Sequence, residues 1–188
     1  MTLGTLTWTR ALDHPDLLAP STLATIIAWA DEDSSVADAV LVTEIDPDLA
    51  DTATLTESFA LPPAASANCV LVAGRREGEE RVAACVVRAT TRADVNNAVK
   101  RLLDVRKASF LPMDRAVEES GMEYGGITPL GLPERYRVLV DGQVALDDPA
   151  AGPTVIIGSG LRRSKLALPG ALLARSPGTE VVEGLALG

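Results

Sequence analysis

The chain has 188 residues, 47% of them hydrophobic, which is enough apolar material for one core and too much for a disordered chain. Aromatics are only 3%, so Val, Leu, Ile and Ala have to fill that core. A net charge of −9 excludes a protein that coats nucleic acid electrostatically.

Taken in chain order, Ser21 is placed to cap a helix whose apolar face is Leu23, Ile26, Ile27 and Ala30. Residues 40–45 read as a strand closed by Asp46-Pro47. Thr54 and Glu57 form a capping-box pattern for a short helix to about Ala60, ended by Leu61-Pro62-Pro63. Residues 69–73 and 82–89 read as two strands paired antiparallel, with the polar stretch 74–81 as their hairpin loop. Thr91, with Asp94 three residues on, is expected to start a helix carrying Val95, Ala98, Val99, Leu102 and Leu103 on one face. Pro112 opens a second short helix that Gly121 ends. Residues 136–140 and 143–146 flank Asp141-Gly142, a type I′ hairpin signal. Residues 154–157 form a β-branched strand. Leu166 and Leu168 mark another, followed by a short helix near residues 171–174. Hairpins with helices interspersed predict an α+β fold: a mixed, largely antiparallel sheet with helices packed on it.

Several chemistries drop out. His14 is the only histidine and lies in an Asp-His-Pro loop, which favours a solvent-exposed or capping role over a catalytic triad. One His and two separated Cys make no zinc site, so neither metal nor cofactor is expected. Cys69 and Cys85 fit two reduced, buried thiols, with a disulfide open if they fall on neighbouring strands. Gly158-Ser159-Gly160 begins like a dinucleotide fingerprint, but Arg163 occupies the place of the third glycine. The N-terminus lacks a basic region followed by an apolar run, and no stretch is long enough to cross a bilayer, so a soluble cytoplasmic protein is expected. The acidic excess lies in residues 1–74, where Arg10 is the single basic residue against eleven acidic ones. The remainder is near neutral and can carry a local basic surface.

Residues 121–133 stand out, with four glycines and two prolines in thirteen positions. Such a loop either brings backbone groups close to a ligand or serves as a rigid connector. Arg106-Lys107-Ala108-Ser109-Phe110 leads through Ser120-Gly121-Met122 to Gly125-Gly126-Ile127-Thr128-Pro129-Leu130-Gly131-Leu132-Pro133. This run resembles the central signature of the YbaK/EbsC family, in the superfamily that includes the editing domain of bacterial prolyl-tRNA synthetase. The Gly-x-x-x-Pro motif is Gly125 to Pro129. Val138-Leu139-Val140-Asp141 and Val155-Ile156-Ile157-Gly158-Ser159-Gly160 match in order and spacing, so the resemblance covers roughly residues 52–183.

The resemblance implies a mixed sheet curled toward a barrel and flanked by helices. It implies one editing-like domain over residues 1–188, with 1–51 a divergent acidic N-terminal part. The implied activity is deacylation of mischarged tRNA in trans, with the aminoacyl-tRNA 3′ end as partner, an aminoacyl-tRNA synthetase as a further candidate partner, and no membrane. Gly125, Gly126, Ile127, Thr128 and Pro129 would form the catalytic loop. Asn68, Lys107, Gly158, Ser159, Gly160 and Arg162 would bind substrate. An aminoacyl ester is already activated, so positioning plus N–H donors aimed at a developing oxyanion would suffice. Asn68, in Ala67-Asn68-Cys69-Val70-Leu71, stands where the family carries a lysine, in a pattern like Val-Lys-Thr-Leu-Val. That departure keeps two alternatives open: a catalytically weak module binding the tRNA 3′ end or aminoacyl-adenosine-like ligands, or an enzyme whose positive charge comes instead from Lys107 or from the Arg162-Arg163-Lys165 cluster, with Lys107 or Arg162 as the moved cation. A third reading, an interaction protein presenting its acidic N-terminal part to a basic partner, rests on charge alone. Oligomeric state, the amino acid and the tRNA are not encoded in any motif.

Overall fold

The computed structural model describes residues 2–148 and 152–188. Its strands are β1 (Thr2–Leu3), β2 (Leu6–Thr7), β3 (Thr9–Arg10), β4 (Leu41–Glu44), β5 (Ala67–Arg76), β6 (Glu79–Arg88), β7 (Arg92–Ala93), β8 (Ala108–Phe110), β9 (Tyr136–Asp141), β10 (Thr154–Gly158), β11 (Ser164–Pro169), β12 (Thr179–Val182) and β13 (Ala186–Leu187). The α-helices are α1 (Pro20–Glu32), α2 (Val36–Ala39), α3 (Thr52–Ser58), α4 (Lys100–Leu102), α5 (Met113–Ser120), α6 (Gly142–Ala145) and α7 (Gly170–Leu173).

Residues 82–87 are apolar without alternation, as expected of a strand covered on both faces. They form the middle of β6, the central strand of a five-stranded sheet ordered β12-β9-β6-β5-β8. Val82, Ala84 and Val86 face the main core with Val138 and Val140. Ala83, Cys85 and Val87 face a second core with Val95, Val99 and Leu103. The β5–β6 hairpin is antiparallel, with Cys69 opposite Val86 and Ala73 opposite Val82, as the sequence predicts. Its turn is tighter than the expected 74–81 loop: the strands run on to Arg76 and Glu79, and Glu77 and Gly78 both take positive φ, at 54° and 88°. Parallel pairing of β9 with both β6 and β12 makes the sheet mixed.

A second, four-stranded sheet is ordered β10-β11-β4-β3. The two sheets meet where Ser66, just before β5, bridges Ile156 of β10. Among the described residues they do not close into a barrel. No described helix is long and apolar enough to cross a membrane.

The strands at 41–44, 154–158 and 164–169 and the helix at 170–173 lie where the sequence places them, as does α5, which Gly121 ends in the left-handed region at φ 66°. Four local expectations are corrected. The helix expected from Ser21 begins at Pro20, with Ala19 at its cap and no side-chain capping bond; proline at the first position supplies the preset φ instead. The helix expected from Thr54 begins at Thr52, after Asp51. The helix expected from Thr91 begins at Val95, as a π-helical stretch Val95–Val99 that runs into α4, capped by the Asp94 carboxylate on the N–H groups of Asn97 and Ala98, because Arg92 and Ala93 are held as strand β7 by pairing with β13. Asp141-Gly142 makes no hairpin: the Asp141 carboxylate accepts from the Gln143 N–H and caps α6. Cys69 and Cys85 are free thiols on neighbouring strands; each is opposite the other's sequence neighbour, so they point to opposite faces.

Candidate functional site

A pocket of about 420 Å³ opens at the seam between the two sheets, within the usual range for small-molecule sites. β5 contributes Asn68 and Cys69, β10 contributes Ile156 to Gly158, and β11 contributes Lys165. The start of α3 adds Thr52, and the glycine-rich loop adds Tyr124, Gly125 and Ile127.

The loop is fastened from behind. Gly160 N–H donates to the Gly126 carbonyl at 2.7 Å, and Glu123 N–H donates to the Gly160 carbonyl at 2.9 Å. Buried Thr22 of α1 donates its hydroxyl to the Leu130 carbonyl at 3.0 Å. Gly158 carries no side chain because the loop lies directly on it: a Cβ there would stand 2.2 Å from the Gly126 carbonyl oxygen. Gly125, at φ 80°, is the position where the chain turns into the pocket.

The expected site residues therefore separate. Asn68, Gly125, Ile127 and Gly158 line one pocket. Gly126, Thr128 and Pro129 are buried behind it, as is Gly160. Ser159 is fully buried, its hydroxyl bonded to the Leu161 and Ser164 carbonyls, which makes it a brace for the turn. Arg162 sits over the loop: its guanidinium lies 5.4 Å from the Tyr124 ring centroid and 3.6 Å from the Asp51 carboxylate. Lys107 faces a different cleft, with Arg75, Glu80 and Arg115; Phe110 and Leu111 border both cleft and pocket.

Asn68 accepts a hydrogen bond at 2.8 Å from the Thr52 hydroxyl through Oδ1, which leaves its NH₂ for other partners. Cys69 is half-buried on the pocket wall, and desolvation pushes its thiol above the ordinary value, which disfavours the thiolate. The residue that sequence reasoning left in a charge cluster is Lys165. It is 7% exposed, and its Nζ donates to the Gly125 carbonyl at 2.7 Å. Burial first, and Arg162 second, lower its pKa to about 8, with Asp51 opposing. The signal was available: in Ser-Lys-Leu-Ala-Leu a lysine occupies a strand position flanked by buried ones.

Residues 46–175 match the family model of the aminoacyl-tRNA editing domain. This chain belongs to that family. All the lining residues of the pocket fall inside the matched stretch. Two solved structures share the editing-domain fold at 16% identity, a level that speaks for fold alone. A crystal structure of a hypothetical protein aligns with a TM-score of 0.70 over 87% of this chain and 99% of its own. The crystal structure of "a putative trans-editing enzyme for prolyl tRNA synthetase" aligns with a TM-score of 0.68 over 91% of this chain and 99% of its own. No curated protein matches the chain.

Proposed function

We propose that this editing-domain protein is a cytoplasmic, cofactor-independent deacylase acting in trans, which hydrolyses the ester of mischarged tRNA. The observation that carries the reading is one pocket joining the Gly125–Pro129 loop to Asn68 and a buried lysine. The N–H groups of Gly125 and Ile127 have no acceptor among the described residues, so they are available to an ester carbonyl. Phe110 and Tyr124, both exposed on the rim, offer surfaces for terminal bases. The neighbouring cleft, with Lys107 and Arg75, would carry the phosphates of the acceptor strand. We take residues 1–188 as one editing domain: β4, from the acidic N-terminal part, pairs with β11, and α1 braces the loop through Thr22. A synthetase remains a candidate partner through the same 3′ end.

The test is deacylation across a panel of mischarged tRNAs. Release of amino acid from at least one, well above the rate without protein, is expected. No release from any, with retained binding of an aminoacyl-adenosine analogue, would favour the second reading, a binding module without hydrolysis, to which Asn68 points.

Asn68→Lys tests whether the pocket lacks a cation. Lys165 already places one there, so the substitution is expected to change the deacylation rate less than about threefold. A gain of about tenfold or more that shrinks as salt rises would show that charge at position 68 is what limits the reaction.

A further inference from the structure

Lys165 is a buried cation whose donors are mostly unspent. An ammonium has three N–H donors. The Gly125 carbonyl takes one, and the other two have no acceptor among the described residues. A second unspent group lies in the same pocket: Ser66 is 4% exposed, and its hydroxyl has no partner among the described residues. Burying such groups is costly unless something pairs with them. The other cations do not compete for the role. Arg162 is engaged with Tyr124 and Asp51, and Lys107 faces the adjoining cleft.

We propose that Lys165 receives the carbonyl oxygen of the substrate ester and holds the oxyanion that develops on it. This rests on the ester-hydrolysis reading above. The water oxygen bonds to the carbonyl carbon, and the carbonyl π pair moves onto the oxygen facing Lys165 Nζ. When that tetrahedral adduct collapses, the bond from carbon to the ribose oxygen breaks. The ribose oxygen leaves with a proton that came from the water, and the amino acid is released as its carboxylic acid. Lys165 is neither consumed nor acylated. Its tie to the Gly125 carbonyl fixes its position against the loop, so the donor is preorganised for the charge that appears in the transition state.

The test uses two unhydrolysable probes, an aminoacyl-adenosine phosphonate, which carries the tetrahedral anion, and the corresponding amide-linked aminoacyl-adenosine, which is uncharged at that position. Calorimetry compares wild type with Lys165→Met, with melting curves to show that the variant is folded. Lys165→Met is expected to weaken phosphonate binding roughly 30-fold and amide binding less than about threefold. In deacylation the variant loses kcat with KM little changed. Wild-type affinity for the phosphonate should fall as pH rises past about 8, and this limb should be missing in Lys165→Met. The charged or titratable groups around Lys165 and on its pocket are Arg162, Asp51, the Tyr124 hydroxyl and the Cys69 thiol, and all four remain in the variant. Equal losses on both probes would make Lys165 a prop for the loop and overturn the proposal. So would no loss on either, or failure of wild type to bind the phosphonate. If wild type deacylates no tRNA yet shows the selective loss, the hydrolysis reading fails while the anion site stands. If it deacylates without the selective loss, the role of Lys165 alone is refuted.

Discussion

Gly158→Ala is expected to cut deacylation about 100-fold while leaving a folded protein. Gly158 ends β10 beneath the Gly125–Pro129 loop. An alanine Cβ there would lie 2.2 Å from the Gly126 carbonyl oxygen and 2.6 Å from that of Ile127. Both are backbone atoms, so no side chain can swing aside, and the loop itself has to move. Gly126 is also the acceptor for Gly160 N–H, and Gly125 the acceptor for Lys165, so a shifted loop loses its fastening and its cation together. A displacement near 1 Å at a reacting centre is worth about two orders of magnitude in rate. Overpacking of this kind costs about 1–3 kcal/mol of stability, which a domain of this size can survive. Single-turnover deacylation with a parallel melting curve checks it. A folded variant with activity within threefold of wild type would remove the loop's position from the mechanism.

The elements legible in the sequence are those whose partners are close along the chain. The β5–β6 hairpin follows from two apolar runs around a short polar turn. α5 follows from Pro112 at its start and Gly121 at its end. What misled were positions decided by remote pairing. Thr91 has a good capping pattern, but β13, from the end of the chain, claims Arg92 and Ala93 as strand. Asp141-Gly142 has the composition of a hairpin turn, but β9 already has parallel partners on both sides. A strand after the turn would have had no free edge of β9 to pair with.

The site shows the same division. The Gly-x-x-x-Pro loop is readable because glycine and proline restrict the backbone locally, and Asn68 because the strand around it resembles a known pattern. The split of the motif into lining residues, Gly125 and Ile127, and buried ones, Gly126, Thr128 and Pro129, depends on how the loop packs on Gly158 and Leu161. No local rule contains that. Lys165 stands out as a lysine among Leu166, Ala167 and Leu168, yet it is the bridge of Ser66 to Ile156 that sets β10, with β11 paired behind it, against the start of β5 and opens the pocket that Lys165 lines.

Arg88→Met is expected to cost about 3 kcal/mol of stability and lower the melting temperature by about 6–12 °C. Arg88 closes β6 and is 3% exposed. Its guanidinium takes the place of the hairpin that the Asp141-Gly142 turn suggested. Nη1 donates to the Ala64 carbonyl at 2.8 Å, Nε to that of Gln143 at 3.2 Å, and Nη2 to that of Leu146 at 2.8 Å. One side chain thus satisfies carbonyls at the end of α6 and in the segment before β5, which a sheet ladder would otherwise have to pair. Methionine fills much of the same volume without a donor, leaving those three acceptors, and the buried Val144 carbonyl that Nη2 also reaches at 3.5 Å, without the guanidinium. Each such orphan costs roughly 1–3 kcal/mol, reduced where water or a small shift reaches it. Because Ala64 lies just before Ser66 and the start of β5, the substitution should also loosen the seam at which the pocket opens. Ligand binding should therefore weaken with stability, unlike in Lys165→Met, where binding should weaken selectively for the anionic probe. Arg88→Lys, which can keep one of the three bonds, should fall between wild type and Arg88→Met. A melting temperature within about 2 °C of wild type for Arg88→Met would show that the carbonyls after β9 are satisfied without Arg88.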